Sequence, residues 1–391
     1  MGHTKVSTKA VVAGTVSGVL ATGAAAGWMG AAVYLARKVV TPERDRPDDT
    51  AILALTADTI TLGRTAETVV RGRYGLFFDG GEGHLRFGEI LADDPQAGSV
   101  VREMHGVDAG TPHPGTGRFH SYYYSLEPSL SVGLATHHIT IPSQVGPLPA
   151  WVVPAPDADL PRRRWAILVH GRGAARDETV RAMRTLHERG FTSLAATYRN
   201  DPDAPASSDG RYGLGLSEWQ DVDAAIHHAL AEGAEQIVLV GWSMGGAIVL
   251  QTLVNSAVAE RISKVVLDGP VVDWSDVLFH HAREMKVPTP LTALSLRLLA
   301  APPARHLVGV HSAIDLSSTD FVARAGEIPC PVLIIHSLDD EFVPSGPGRR
   351  LAADRPDLVT FVPWREARHC KEWNVDPQRW SRVVGEFVDR P

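Results

Sequence analysis

The stretch "IVLVGWSMGGAIVLQ", Ile237 to Gln251, runs an apolar strand into a serine set among glycines and on into an apolar, helix-like segment. A strand, a sharp turn at Ser243 and a helix together expose one side chain at the end of a buried strand. In such a turn, side chains two positions either side of the serine collide, and Gly241 and Gly245 carry none. Gly246 and Ala247 let the helix pack close to the sheet. The helix N-terminus aims its free N–H groups at the place where negative charge would develop on a group attacked by Ser243.

Strands and helices alternate on both sides of this stretch. "HHITIP", "PAWVVP", "WAILVHG", "FTSLAATY", "KVVLDGP", "PVLIIHS" and "VTFVPW" read as buried strands. Between them, Val180, Met183 and Leu186 share a helix face, and Ser217 with Gln220 has the spacing of a capping box. Asp376-Pro377 supplies an N-cap and first-turn pair for a last helix burying Trp380, Val384 and Phe387. Continuous apolar strands separated by helices predict an α/β fold, a mostly parallel sheet with helices on both faces.

The pattern divides the chain into a segment 1–40, a linker and β-rich appendage 41–136, and an α/β domain 137–391. Within the last, residues 271–329 form a helical insertion at the strand ends, where ligands bind in open α/β sheets. Its run "LTALSLRLLA" is apolar nearly all round and reads either as core or as a lid over an apolar pocket.

A serine hydroxyl needs a base to take its proton, and the base needs an acid to orient it. In a sheet of this kind they follow in the order serine, acid, histidine, each just after a strand. Asp339, Asp340 and Glu341 follow "PVLIIHS"; His369 is the histidine after "VTFVPW". The amide of Met244, next to the serine, and that of Arg172, in the loop His170-Gly171-Arg172-Gly173, are placed to hold an oxyanion. The Arg172 side chain is expected to be solvated, and His170 to fix its turn. The pairs His137-His138 and His280-His281 are sequence neighbours that do not share a face, so no metal site is expected, nor any organic cofactor.

Composition narrows the partners. The chain has 391 residues, 44% hydrophobic and 21% charged, with a net charge of −7, an ordinary globular balance. The first forty residues hold four basic and no acidic groups, leaving 34 basic against 45 acidic residues, a net −11, in the rest. Nucleic acid is therefore not an expected partner, because phosphate binding needs a basic face. Cys330 and Cys370 make no disulfide framework. Residues 10–36 are an uncharged run of 27, longer than the roughly 20 that span a bilayer, with Trp28 and Tyr34 toward one end. A single-pass N-terminal anchor is expected, with a secretion signal cleaved near Ala24-Ala25-Ala26 as the alternative; the side of the membrane stays open.

With these residues in view, the chain resembles the α/β-hydrolase superfamily. "VHGRG", "GWSMGG", "HSLDDEFVP" and "ARHCKEWN" are similar to its oxyanion loop, nucleophile elbow, acid loop and histidine loop. The likeness covers about Trp165 to Phe387 and is nearest the esterase and serine-aminopeptidase-like branch. There the acid lies three residues before a Val-Pro, which implies Asp340, since Val343-Pro344 follows. The resemblance implies a Ser243–His369–Asp340 triad cleaving a small-molecule or lipid-like carboxylic ester. A peptidase, with Asp201 and Asp203 as possible clamps for a peptide terminus, or an acyltransferase would use the same triad. A non-catalytic, membrane-tethered binding module is the alternative of a different class.

Overall fold

A computed structural model describes residues 26–43, 46–157 and 163–390. Among these described residues, fourteen strands build two sheets. The first six are β1 (Thr50–Leu55), β2 (Thr59–Gly63), β3 (Tyr74–Phe78), β4 (Gly83–Asp94), β5 (Ser99–Ala109) and β6 (Gly115–His120). They close into an antiparallel barrel in the order β1-β2-β5-β4-β3-β6. Closure leaves no free sheet edge, and alternate residues such as Ile60, Leu62, Tyr74, Leu76 and Phe87 fill the interior. Arg102 is also fully buried there. It donates five hydrogen bonds to the carbonyls of Thr68, Val70, Gly72 and Gly88, which ties the loop after β2 to the barrel core.

The second sheet comprises β7 (His137–Ser143), β8 (Gly146–Val153), β9 (Arg164–Val169), β10 (Phe191–Ala196), β11 (Gln236–Trp242), β12 (Ile262–Asp268), β13 (Val332–Ser337) and β14 (Val359–Trp364). Its order is β14-β13-β12-β11-β9-β10-β8-β7. Pairing is parallel from β14 to β10 and antiparallel through β8 and β7. The helices Val180–Glu188 and Pro377–Asp389 cover one face; Trp219–Ala231 and Met244–Asn255 cover the other. Asp376 caps the last helix, accepting from the Arg379 amide at 2.9 Å.

Three sequence expectations meet the structure here. No capping box forms at Ser217: the helix starts at Trp219 without a side-chain cap. Ser217 instead donates to Glu218, whose buried carboxylate also accepts the Gly213 and Gly215 amides at 2.7 and 2.9 Å, so the local polar groups serve the preceding loop. The insertion packs its helices Trp274–Glu284 and Thr289–Ala300 on the core, where Trp274, Val277, Leu298 and Leu299 are buried. The apolar run is core.

The third concerns the N-terminal run. Residues 1–25, with the proposed cleavage site and most of the expected span, lie outside the described residues. Residues 26–40 are helical, and Ala32, Ala36 and Val40, spaced to share one face, are buried in the domain core. Arg37 donates to the Leu307 carbonyl at 2.8 Å. Among the described residues no helix is long and apolar enough to cross a membrane.

Candidate active site

β11 ends at Trp242, and Ser243 sits at φ 50°, ψ −117° before the helix Met244–Asn255. That left-handed conformation is costly for a non-glycine residue and persists where its surroundings fix it. Here Ser243 N–H donates to Asp268 O at 3.1 Å, and Ser243 O accepts from Val271 N at 3.0 Å. A Cβ on Gly241 would stand 2.6 Å from Gly245 O, and one on Gly245 only 2.1 Å from Val169 O. One on Gly246 would meet Pro270 Cβ at 2.6 Å. The glycines are thus demanded by close backbone approach.

β13 delivers the acid loop and β14 the histidine loop to the same place. His369 Nε2 lies 2.9 Å from Ser243 Oγ, and His369 Nδ1 lies 2.8 Å from Asp340 Oδ2. Asp340 Oδ1 accepts the Phe342 and Val343 amides, both at 2.8 Å. Burial alone would raise the Asp340 carboxyl, but the charge and hydrogen bonds of His369 and His336 outweigh it and hold the group well below the usual carboxylate range. Asp339 is exposed and takes a hydrogen bond from Ser337 instead. The Phe342 ring lies 5.0 Å from that of His369.

On the other side of Ser243, Gly171 is so close that a Cβ there would lie 3.1 Å from the serine Cβ. The Gly171 amide donates to Glu178 Oε2 at 2.7 Å. The amides of Arg172 and Met244 have no acceptor among the described residues. The Arg172 side chain is not solvated as expected: its guanidinium donates to Lys38 O and Thr41 O, at the end of the N-terminal helix, because that helix docks over the loop. His170 is buried, with Asp201 at 2.9 Å and Gly171 O at 3.0 Å on its two nitrogens. Burial opposes its charge, yet Asp201 and the carbonyl prevail and raise its pKa above 6.5.

Ser243 and His369 open on a cavity of about 980 Å³. No residue of 271–329 lines it; the linker contributes Arg46 and the barrel Glu67, Phe119 and His120. An apolar pocket under the helical insertion is therefore replaced by a charged one under the barrel. The barrel also grips the histidine loop. Glu67 accepts from Arg368 at 2.7 Å and from Lys371, and Arg71 pairs with Glu366 at 3.4 Å. A Cβ on Gly72 would lie 2.2 Å from Asn374 O.

Sequence reading missed His336, whose Nε2 lies 3.1 Å from Asp340 Oδ2 and 3.0 Å from Val343 O. Its place at the end of the strand "PVLIIHS" was the available signal. It also missed Glu372, buried with its Oε1 on the Ser337 amide at 2.8 Å. Burial and the neighbouring Asp268 push the Glu372 carboxyl well up. Cys330 and Cys370 are free and buried.

Residues 166–325 match the family model described as alpha/beta hydrolase fold. The chain superimposes on an esterase of Pyrococcus furiosus with a TM-score of 0.51, at 17% identity, over 68% of this chain and 97% of the esterase. At that identity the likeness is one of fold. An esterase from a Rhodococcus species aligns with a TM-score of 0.45, at 18% identity, over 64% of this chain and 98% of its own. A 70-residue segment is 34% identical to a 2-hydroxy-6-oxononadienedioate/2-hydroxy-6-oxononatrienedioate hydrolase of Cupriavidus pinatubonensis, covering 18% of this chain and 24% of that relative. The chain thus spans about a quarter of the curated relative it matches. Sheet order, elbow and family model agree: the chain has the α/β-hydrolase fold, and residues 166–325 match that family's model. Residues 51–120, the barrel, match a family described as a domain of unknown function.

Proposed function

We propose that this protein is a serine hydrolase that cleaves a carboxylic ester through an acyl-enzyme. The observation that carries the reading is the unbroken hydrogen-bond chain from Ser243 Oγ through His369 to Asp340 at the cavity floor. In this mechanism Ser243 Oγ attacks the ester carbonyl as His369 Nε2 takes its proton. Asp340, kept ionised, orients the imidazole and stabilises its positive form. The Met244 and Arg172 amides receive the oxyanion. His369 then gives the proton to the departing alcohol. Water, deprotonated by the same nitrogen, attacks the acyl-enzyme, and His369 returns that proton to Ser243 Oγ as the carboxylic acid leaves. Neither a metal nor an organic cofactor enters these steps.

The peptidase alternative loses the carboxylates considered for it. Asp201 is bound to His170, and Asp203 pairs with Arg176 at 2.7 Å. Neither lines the cavity.

The test is labelling by a fluorophosphonate probe, wild type against Ser243→Ala, with p-nitrophenyl esters as substrates. Labelling and ester hydrolysis that both vanish in the variant support the proposal. A folded wild type that neither labels nor hydrolyses would overturn it in favour of a binding module.

Membrane tethering is a separate proposal, supported by the uncharged run 10–36 in the sequence. Its test is whether the full chain, and not one lacking residues 1–25, sediments with membranes after a carbonate wash.

A further inference from the structure

Part of the cavity wall is built by groups that converge without a common acceptor. Arg46, in the linker, donates from Nη2 to Gly173 O at 3.1 Å, and its Nη1 lies 3.0 Å from His120 Nε2. His120 ends β6, packed edge-on against Phe77 and Tyr122. The Tyr122 amide points at its Nδ1 from 3.2 Å. A neutral imidazole has one N–H and one acceptor nitrogen, so it cannot accept from both Tyr122 and Arg46. If Nδ1 takes the Tyr122 amide, the ring proton is on Nε2, and two donors face each other across 3.0 Å. Protonating the ring worsens the conflict, and burial with the charges of Arg46 and Arg118 keeps His120 well below 6.5.

Arg118, also in β6, adds a third group. Its Nη1 donates to Arg46 O at 2.8 Å, while its Nε is buried with no partner. Among the described residues, one carboxylate lies within ion-pair range of the two arginines: Asp48, 3.9 Å from Arg118. Among the described residues, two guanidinium charges thus share one carboxylate in ion-pair range. The other basic groups of the cavity are engaged. Glu67 holds Arg368 and Lys371, and backbone carbonyls hold Arg172. Of the other lining carboxylates, Glu178 is bound by Gly171 N and Arg181, Glu341 lies 3.4 Å from Arg368, and Glu43 and Asp49 pair with neither arginine of this group.

We propose that Arg46, His120 and Arg118 form an anion subsite, and that the ester substrate carries a carboxylate on the part that does not react. A carboxylate offers lone pairs to several donors at once. Seated here it accepts from Arg46 Nη1–H and His120 Nε2–H, which removes the donor conflict, and it gives the two guanidinium charges a second carboxylate. The barrel and linker thereby select the substrate that Ser243 attacks. This inference rests on the ester-hydrolase reading of the same cavity.

The experiment compares p-nitrophenyl hydrogen adipate with its methyl ester, which has the same reacting bond and no charge. In the wild type, kcat/KM for the charged ester should exceed that for the neutral one about tenfold, or about 1.4 kcal/mol, mostly through KM. Arg118→Gln should bring the two esters level, and Arg118→Lys should restore part of the difference. Fluorophosphonate labelling of Ser243 reports that each variant keeps an intact site. A labelled wild type that treats the two esters alike, or prefers the neutral one, overturns the subsite and leaves the hydrolase reading standing. If the wild type does not label, that reading has failed by itself, and thermal unfolding with free adipate decides the subsite. Stabilisation that Arg118→Gln abolishes supports it; no stabilisation overturns it.

Discussion

Replacing Glu67 by Gln tests whether the barrel positions His369. The Glu67 carboxylate receives Arg368 and Lys371, one residue before and two residues after His369. Within this loop Glu366, Arg368 and Cys370 have φ of 63°, 55° and 51°. Such conformations cost about 1–3 kcal/mol each and survive only where outside contacts hold them. Glu67 is 45% exposed, so solvent screens the pairs and each contributes about 0.5 kcal/mol. Losing both withdraws about 1 kcal/mol, enough to lower the productive loop population about fivefold. Glu67→Gln should therefore slow fluorophosphonate labelling and reduce kcat by up to about fivefold, with the melting temperature falling about 2 °C. Burial raises the Glu67 carboxyl, but Lys371 and Arg368 outweigh it and leave it below 4.5. A depressed carboxylate stabilises above its unfolded value and ceases to do so as pH falls through the folded one. The difference between wild type and variant should thus be full at neutral pH and shrink below pH 4.5. Equal labelling rates at neutral pH and low salt would show that the histidine loop stands without the barrel.

Three further substitutions probe the site from other directions. Asp340→Asn should lower kcat about 10⁴-fold with KM little changed, because an amide facing His369 Nδ1 favours the wrong tautomer; steady-state kinetics on a p-nitrophenyl ester checks this. Gly245→Ala places a methyl 2.1 Å from Val169 O and 2.5 Å from His170 O, so the elbow must shift; a loss of about 1–3 kcal/mol in chemical denaturation should accompany lost labelling of Ser243. Asp201→Asn removes the partner of buried His170 and should destabilise by about 3–5 kcal/mol below pH 6.5. Because the folded pKa of His170 is raised, this ion pair contributes below 6.5, down to where the Asp201 carboxyl, itself raised by burial, takes up a proton, and is lost as pH climbs through the folded His170 value, so the gap between wild type and variant should narrow in alkaline melts.

The α/β domain was legible because its signals are local. Apolar strands, the glycines around Ser243 and the positions of Asp340 and His369 just past strand ends all lie in short windows. The capping box at Ser217 failed although it too was local, because Glu218 found better partners in the amides of Gly213 and Gly215. The insertion misled differently: a helix apolar nearly all round suits a core as well as a lid, and only its neighbours decide between them. The cavity wall was not legible at all. Glu67 and Arg368 meet across 301 positions of sequence, and Arg46 meets His120 across 74. No periodicity relates such residues, since a closed barrel brings them together.

The same barrel connects its own core to the reacting atoms. Arg102 sits at zero exposure, and burial, only partly offset by Tyr74 and Glu89, pushes its guanidinium down to about 10. Its hydrogen bonds instead close on the carbonyls of Thr68, Val70, Gly72 and Gly88. A buried cation satisfied by carbonyls is costly to form, and it fixes the shape of the segment that supplies them. That segment, running on from Glu67, is the one that meets the histidine loop: Gly72 abuts Asn374, and the Arg73 amide donates to Asn374 O at 2.9 Å. Asn374 returns two hydrogen bonds, to Arg73 O and Ser121 O, and accepts a third from Arg181, which also holds the Cys370 carbonyl next to His369. A continuous polar path therefore runs from the barrel interior to the loop that carries His369. With the helical insertion packed on the core, the barrel both roofs the cavity and grips the histidine loop.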